Sequence, residues 1–232
     1  MDVASPPRMN RGRRRLVMTL LACGVLVAAV QIIGDIVAAA KYPGYSYIDQ
    51  SVSELSAIGA PTRPITAAVG LAFEALVLAF AVGVWLAAEG RGVKIASVIL
   101  GVFAVNAIVW GFFPMQQRGS QMAATDVAHI AGAIVQVLTI VLFIAFGSGA
   151  DGRWFRVFSI VLIVAILGAG ALAGTQAGKI AAGGPTQWLG LIERISFYGP
   201  SVWILVLALE LLRQQRERLG APPASPGEPM PS

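Results

Sequence analysis

A single histidine, His129, and a small set of carboxylates carry most of the proton chemistry open to this chain. His129 as general base, with Asp126 or Glu193 orienting it and a loop serine as nucleophile, would make a hydrolase acting on lipid. A second arrangement uses Asp35, Glu54, Glu74, Asn106 and His129 as the polar lining of a pocket that binds a lipid or small molecule. The plainer alternatives are structural: Asp126 follows Thr125 at a helix start, where a carboxylate meets the helix dipole. His129 would then be an ordinary hydrogen-bonded interior residue. Three-histidine zinc chemistry is excluded by the histidine count, and Cys23, the only cysteine, leaves no disulfide or cysteine-rich metal site. No Gly-rich phosphate loop and no ligand-spaced pair of His or Cys residues occurs, so neither a cofactor nor a metal is expected. The balance of residue types leans away from an enzyme.

The elements that must position these groups are unusually apolar. Of 232 residues, 56% are hydrophobic and 12% charged, with a mean hydropathy of +0.74. A soluble domain cannot hide that much apolar surface. A membrane span needs about 20 consecutive apolar residues. Six such runs occur: Leu16 to Ala40, Ile65 to Ala88, Val93 to Phe113, Thr125 to Phe146, Trp154 to Thr175 and Trp188 to Leu212. The expected fold is all-α, an integral membrane bundle of six transmembrane helices (residues 16–212). A basic arm (1–15) precedes it and a Pro-rich, disordered tail (213–232) follows it. The first run is too long for the apolar core of a signal peptide, which spans about 7 to 15 residues.

Charge sets the orientation. With the N-terminus in the cytoplasm, twelve of the 17 Lys and Arg residues fall on the inner side, in the arm, both inner connections and the tail. The remaining five, Lys41, Arg63, Arg118, Lys179 and Arg194, fall outside. Every inner segment contributes to this bias, as the positive-inside rule requires. Both termini are therefore expected in the cytoplasm and the bundle in the plasma membrane, with an Ala-, Val- and Gly-rich composition of bacterial type. The pI near 9.9 then reflects topology and membrane lipid contact, not nucleic acid.

Depth locates the pocket. At 1.5 Å per residue, Asp35 lies about 8 Å below the outer end of the first helix, with Gln31 one turn away on the same face. Glu74 lies about 14 Å down and Asn106 about 10 Å, one turn from Trp110. Asp126, His129 and Gln136 share a stripe of the fourth helix, and Glu193, Arg194 and Tyr198 open the sixth. An unpaired carboxylate at the depth of Glu74 costs at least about 2.5 to 3.5 kcal/mol. Polar groups occupy the outward half of the bundle and the inner half is apolar, so the expected pocket opens outward. Gly170, Gly174 and Gly178, and Ala79, Gly83 and Ala87, repeat every four residues and are expected to let helices pack closely. The same faces would serve a non-catalytic subunit that packs against a membrane-protein partner.

The longest connection, Lys41 to Pro64, reads KYPGYSYIDQSVSELSAIGAPTRP. Ser51 and Glu54 have capping-box spacing, so a short interfacial helix is expected there, turning Val52, Leu55 and Ile58 toward the membrane. YPGYSYIDQSVSELSA after the first helix, Phe113-Pro114 after the third and His129 in the fourth together resemble family 998 of the domains of unknown function. The resemblance implies a multi-pass membrane protein over most of the chain, and marks Ser53, Glu54 and His129. That family commonly carries an acidic residue after the Phe-Pro pair; here Met115 and Gln116 follow it, so no carboxylate role is implied at that point. The resemblance names no reaction.

Overall fold

The computed structural model describes residues 10–220 and, among them, contains helices and no strands. Helix α1 (Arg11–Lys41) is capped by Asn10, whose side chain accepts from the Arg13 N–H at 2.8 Å. Four further long helices follow: α2 (Arg63–Ala87), α3 (Arg91–Trp110), α4 (Ala124–Gly147) and α5 (Arg153–Gly174). A one-turn helix, α6 (Ala177–Ala181), precedes α7 (Leu189–Gly220). Six helical segments are each long and apolar enough to cross a membrane, α6 extending the fifth of them. The bounds agree with the six hydrophobic runs to within a few residues, apart from the ends of α1 and α7. There α1 takes in Arg11–Arg15 from the basic arm, and α7 continues through 213–220. Residues 213–220, expected in the tail, are thus helical. Arg213 explains the extension, pairing with Glu210 and Glu217 on its own helix face and with Asp151. Residues 1–9 and 221–232, with the rest of the expected tail, lie outside the described residues.

The helices form an open ring. α1 packs between α2 and α7, α3 between α2 and α4, and α5 lies along α7 while touching α4 only lightly. Large apolar side chains such as Leu71, Leu138 and Val164 point outward, as a lipid-facing surface requires. Lipid tails are as apolar as leucine, so close packing and interhelical hydrogen bonds, more than simple burial, decide which faces meet. Phe143 lies between Phe103 and Trp203 with ring centroids 5.4 Å from each. The Trp203 indole N–H donates to Ser159 Oγ at 2.9 Å, which satisfies the one polar atom of that side chain.

The connections 42–62, 111–123 and 175–188 meet at one end of the bundle, the loop end. Ile58 N–H donates to the Met115 carbonyl and Gly119 N–H to that of Ile180, both at 2.9 Å, so the three connections form a single cap. Ser51 and Glu54 begin a 3₁₀ helix, Val52–Ser56, in which the Glu54 carboxylate reaches back to Ser51 N–H at 2.8 Å. Leu55 of this short helix does not face outward as expected. Leu55 is buried inside the cap with 1% exposure, because its carbonyl is tied to Thr62 Oγ1 at 2.7 Å and Glu54 is tied to the next connection.

Candidate functional site

The deepest polar group of the cap joins the first and last spans. Arg194 donates through Nε to Asp35 Oδ2 at 2.8 Å and through a terminal nitrogen to Oδ1 at 3.0 Å. The side chains are 4% and 1% exposed. Its remaining N–H groups reach the Tyr47 and Gly190 carbonyls at 2.8 and 3.1 Å and the Tyr45 hydroxyl at 3.2 Å. A guanidinium has five N–H donors, and all five are used. The Tyr47 ring stacks 3.4 Å from the guanidinium carbon, and Tyr198 donates its hydroxyl proton to Asp35. Burial pushes the Tyr45 phenol above its ordinary value, against the opposing pull of Arg194.

Glu54 belongs to a second group. Arg118 grips it with two hydrogen bonds of 2.8 and 2.7 Å and also donates to the Gly184 carbonyl and Thr186 Oγ1. One arginine thus staples all three connections, and its partner Glu54 holds its proton affinity above the usual arginine value. Glu193 accepts from Val52 N–H at 2.6 Å and, at 3.5 Å, from Ser53 Oγ.

The groups on α3 and α4 are separate again. Asn106 donates to Gln136 Oε1 at 2.6 Å. His129 packs against Trp110 with ring centroids 4.8 Å apart and meets the Phe113 carbonyl through Nδ1 at 2.9 Å. A carbonyl only accepts, so that nitrogen carries a proton. The two Asp126 oxygens are taken by Gln116 N–H and Ala123 N–H, both at 2.8 Å. Glu74 is 6% exposed and its Oε2 has no hydrogen-bond partner.

Neither sequence-derived site is assembled as expected. His129, Asp126 and Glu193 form no hydrogen-bonded relay among the described residues, since each is committed to a different backbone group. Asp35, Glu54 and the α3–α4 pair of Asn106 and His129 belong to different hydrogen-bonded groups, Glu74 joins none of them, and none of the five lines either of the two cavities described below. The partners that divide them are Arg118, visible in the sequence only as an outer positive charge, and Arg194, visible as one of the polar groups that open the sixth span. A buried charge left without its partner is costly, and Arg194 at the start of the last span is the partner of Asp35.

The two cavities lie on the seam between α5 and α7. At the loop end a cleft of about 440 Å³ is lined by residues including Leu172, Thr175, Lys179, Gln187, Trp188 and Ile192. Further along the same helix pair a cavity of about 320 Å³ is walled mainly by Leu162, Leu191, Ile195, Gly199 and Val202, with Arg194 and Tyr198 at its side. Leu162 and Leu172 are separated by about 15 Å of helix rise.

Residues 20–210 match the family described as Protein of unknown function (DUF998). The chain belongs to the DUF998 family. Neither a curated protein nor a solved structure matches it. The DUF998 match runs from within the first membrane-length helix to within the sixth and takes in the whole cap, so the resemblance carried by the YPGYSYIDQSVSELSA segment holds for the chain.

Proposed function

We propose that this protein binds a membrane amphiphile, a lipid or lipid-like small molecule, along the seam between α5 and α7. The supporting observation is the order of the two cavities. A cleft with polar side chains on its rim lies at the loop end, and an apolar one lies deeper on the same helix pair. A head group and a hydrocarbon chain have that same order. The polar networks around Asp35 and Glu54 then serve as the rigid cap that holds the seam's upper end in place.

In this reading the loop end faces outward, both termini lie in the cytoplasm, and the protein sits in the plasma membrane. The distribution of Lys and Arg supports that orientation. The test is native mass spectrometry of the full chain in mild detergent, with Thr175→Trp filling the cleft and Leu191→Trp obstructing the deeper cavity. A discrete bound mass on the wild type, lost from either variant, is expected. Identical spectra for all three proteins would overturn the proposal.

A second reading, a subunit that packs on another membrane protein, is favoured by α5. A Cβ added at Gly174 of α5 or at Gly178 of α6 would meet no atom within 4 Å, and one at Gly170 would meet only Ser196 Oγ at 3.8 Å. The glycine face expected to pack inside the bundle is therefore open, and co-purification of a stoichiometric partner in mild detergent tests it.

A further inference from the structure

We infer that the amphiphile's head group carries a phosphate, held at the loop-end cleft by Lys179 together with the side chains of Gln187 and Trp188. This inference rests on the amphiphile reading above. The cleft lining contains one charged residue, Lys179, and no carboxylate. Among the described residues, Lys179 forms no ion pair, and the Lys179 ammonium, the Gln187 amide and the Trp188 indole N–H donate to no protein acceptor. The cleft thus offers one cation and several unused donors around a space with apolar walls, Leu172 and Ile192. A tetrahedral anion with several acceptor oxygens on a hydrocarbon tail satisfies all of these, and lysine is a common point-charge partner for phosphate.

The backbone supports the same site. Trp188 is the only non-glycine among the described residues with a left-handed conformation, at φ 63°. Such a conformation is disfavoured for a residue with a side chain and persists where its surroundings enforce it. Here Asp49 Oδ1 accepts from Trp188 N–H at 3.0 Å, and Asp49 Oδ2 accepts from the Ser46 hydroxyl. The cap therefore imposes the strained turn that keeps the indole, 60% exposed, at the cleft rim. The carboxylate that imposes it is engaged on backbone and serine, and does not pair with Lys179.

The experiment compares retention of dioleoyl phosphatidylglycerol, dioleoylglycerol and inorganic phosphate by native mass spectrometry. It uses the full chain as wild type, Lys179→Gln, Lys179→Arg and Thr175→Trp. The phospholipid is expected to bind the wild type about fivefold more tightly than dioleoylglycerol, from one lysine–phosphate contact. That advantage should vanish in Lys179→Gln and persist in Lys179→Arg. Equal retention of both lipids, lost together in Thr175→Trp, would overturn the phosphate assignment while leaving the amphiphile reading intact. Inorganic phosphate binding as well as the phospholipid would overturn it in favour of a free-phosphate site. Undiminished phospholipid on Thr175→Trp would overturn both.

Discussion

Asp35 and Arg194 stand 159 residues apart in sequence and meet through two hydrogen bonds beneath the cap, tying the first span to the last. Because both are buried, the pair's worth differs from the cost of breaking it. Removing one partner leaves an uncompensated charge, with a loss of about 3 to 5 kcal/mol, whereas replacing both by apolar residues restores much of that. Arg194→Met and Asp35→Leu should each lower the midpoint of thermal unfolding in detergent, and the double variant should unfold above either single one. Additive losses would show that the charges act independently.

The number and limits of the spans were legible in the sequence because lipid imposes a length and a composition on each helix. The Ser51–Glu54 capping box was legible for a similar reason, since its spacing is local. The assembly of the site was not. Depth alone placed Asp35, Glu74 and Asn106 in one polar layer, but depth carries no information about azimuth. α1 turns Asp35 toward α7, α3 turns Asn106 toward Gln136 of α4, and Glu74 meets neither through a hydrogen bond. Long-range pairings such as Glu54 with Arg118 depend on how three connections fold over one another, which no periodicity encodes.

Glu74 provides a test of whether every buried polar group in the spans contributes to stability. Its Oε2 has no partner, and an unsatisfied buried polar atom costs about 1 to 3 kcal/mol. Glu74→Leu should therefore raise the unfolding midpoint in detergent. A clear fall would show that the carboxyl is held by a bound molecule or by a contact formed only in the membrane.

Tyr45 predicts an alkaline limit to the cap. Its folded-state pKa lies above the ordinary phenol value of about 10 because burial disfavours the phenolate. The stability contributed by the neutral phenol is thus complete below about pH 10 and is lost as pH rises from there through the folded value. Wild-type stability, followed by thermal melts up to about pH 11, should fall more steeply than that of Tyr45→Phe. Superimposable pH profiles would show that the Tyr45 hydroxyl is not isolated from water.

Glycines separate what spacing suggests from what packing requires. The four-residue repeat singled out Gly170, Gly174 and Gly178, yet a Cβ at Gly174 would meet nothing within 4 Å. Gly83, in the other repeat, and Gly24 have no room: a Cβ at Gly83 would lie 2.8 Å from Leu20 Cβ, and one at Gly24 would lie 2.6 Å from Phe80 Cδ2 and 2.8 Å from Ala208 Cβ. Alanine is favoured over glycine in a helix by up to about 1 kcal/mol, while overpacking a close contact costs typically about 1 to 3 kcal/mol. Gly174→Ala should accordingly leave the melting midpoint unchanged or raised, and Gly24→Ala should lower it, as α1 is pushed off α2 and α7. If Gly174→Ala instead proved the more damaging variant when melted in native membranes but not in detergent, the open face of α5 would be closed by a neighbouring protein in the bilayer.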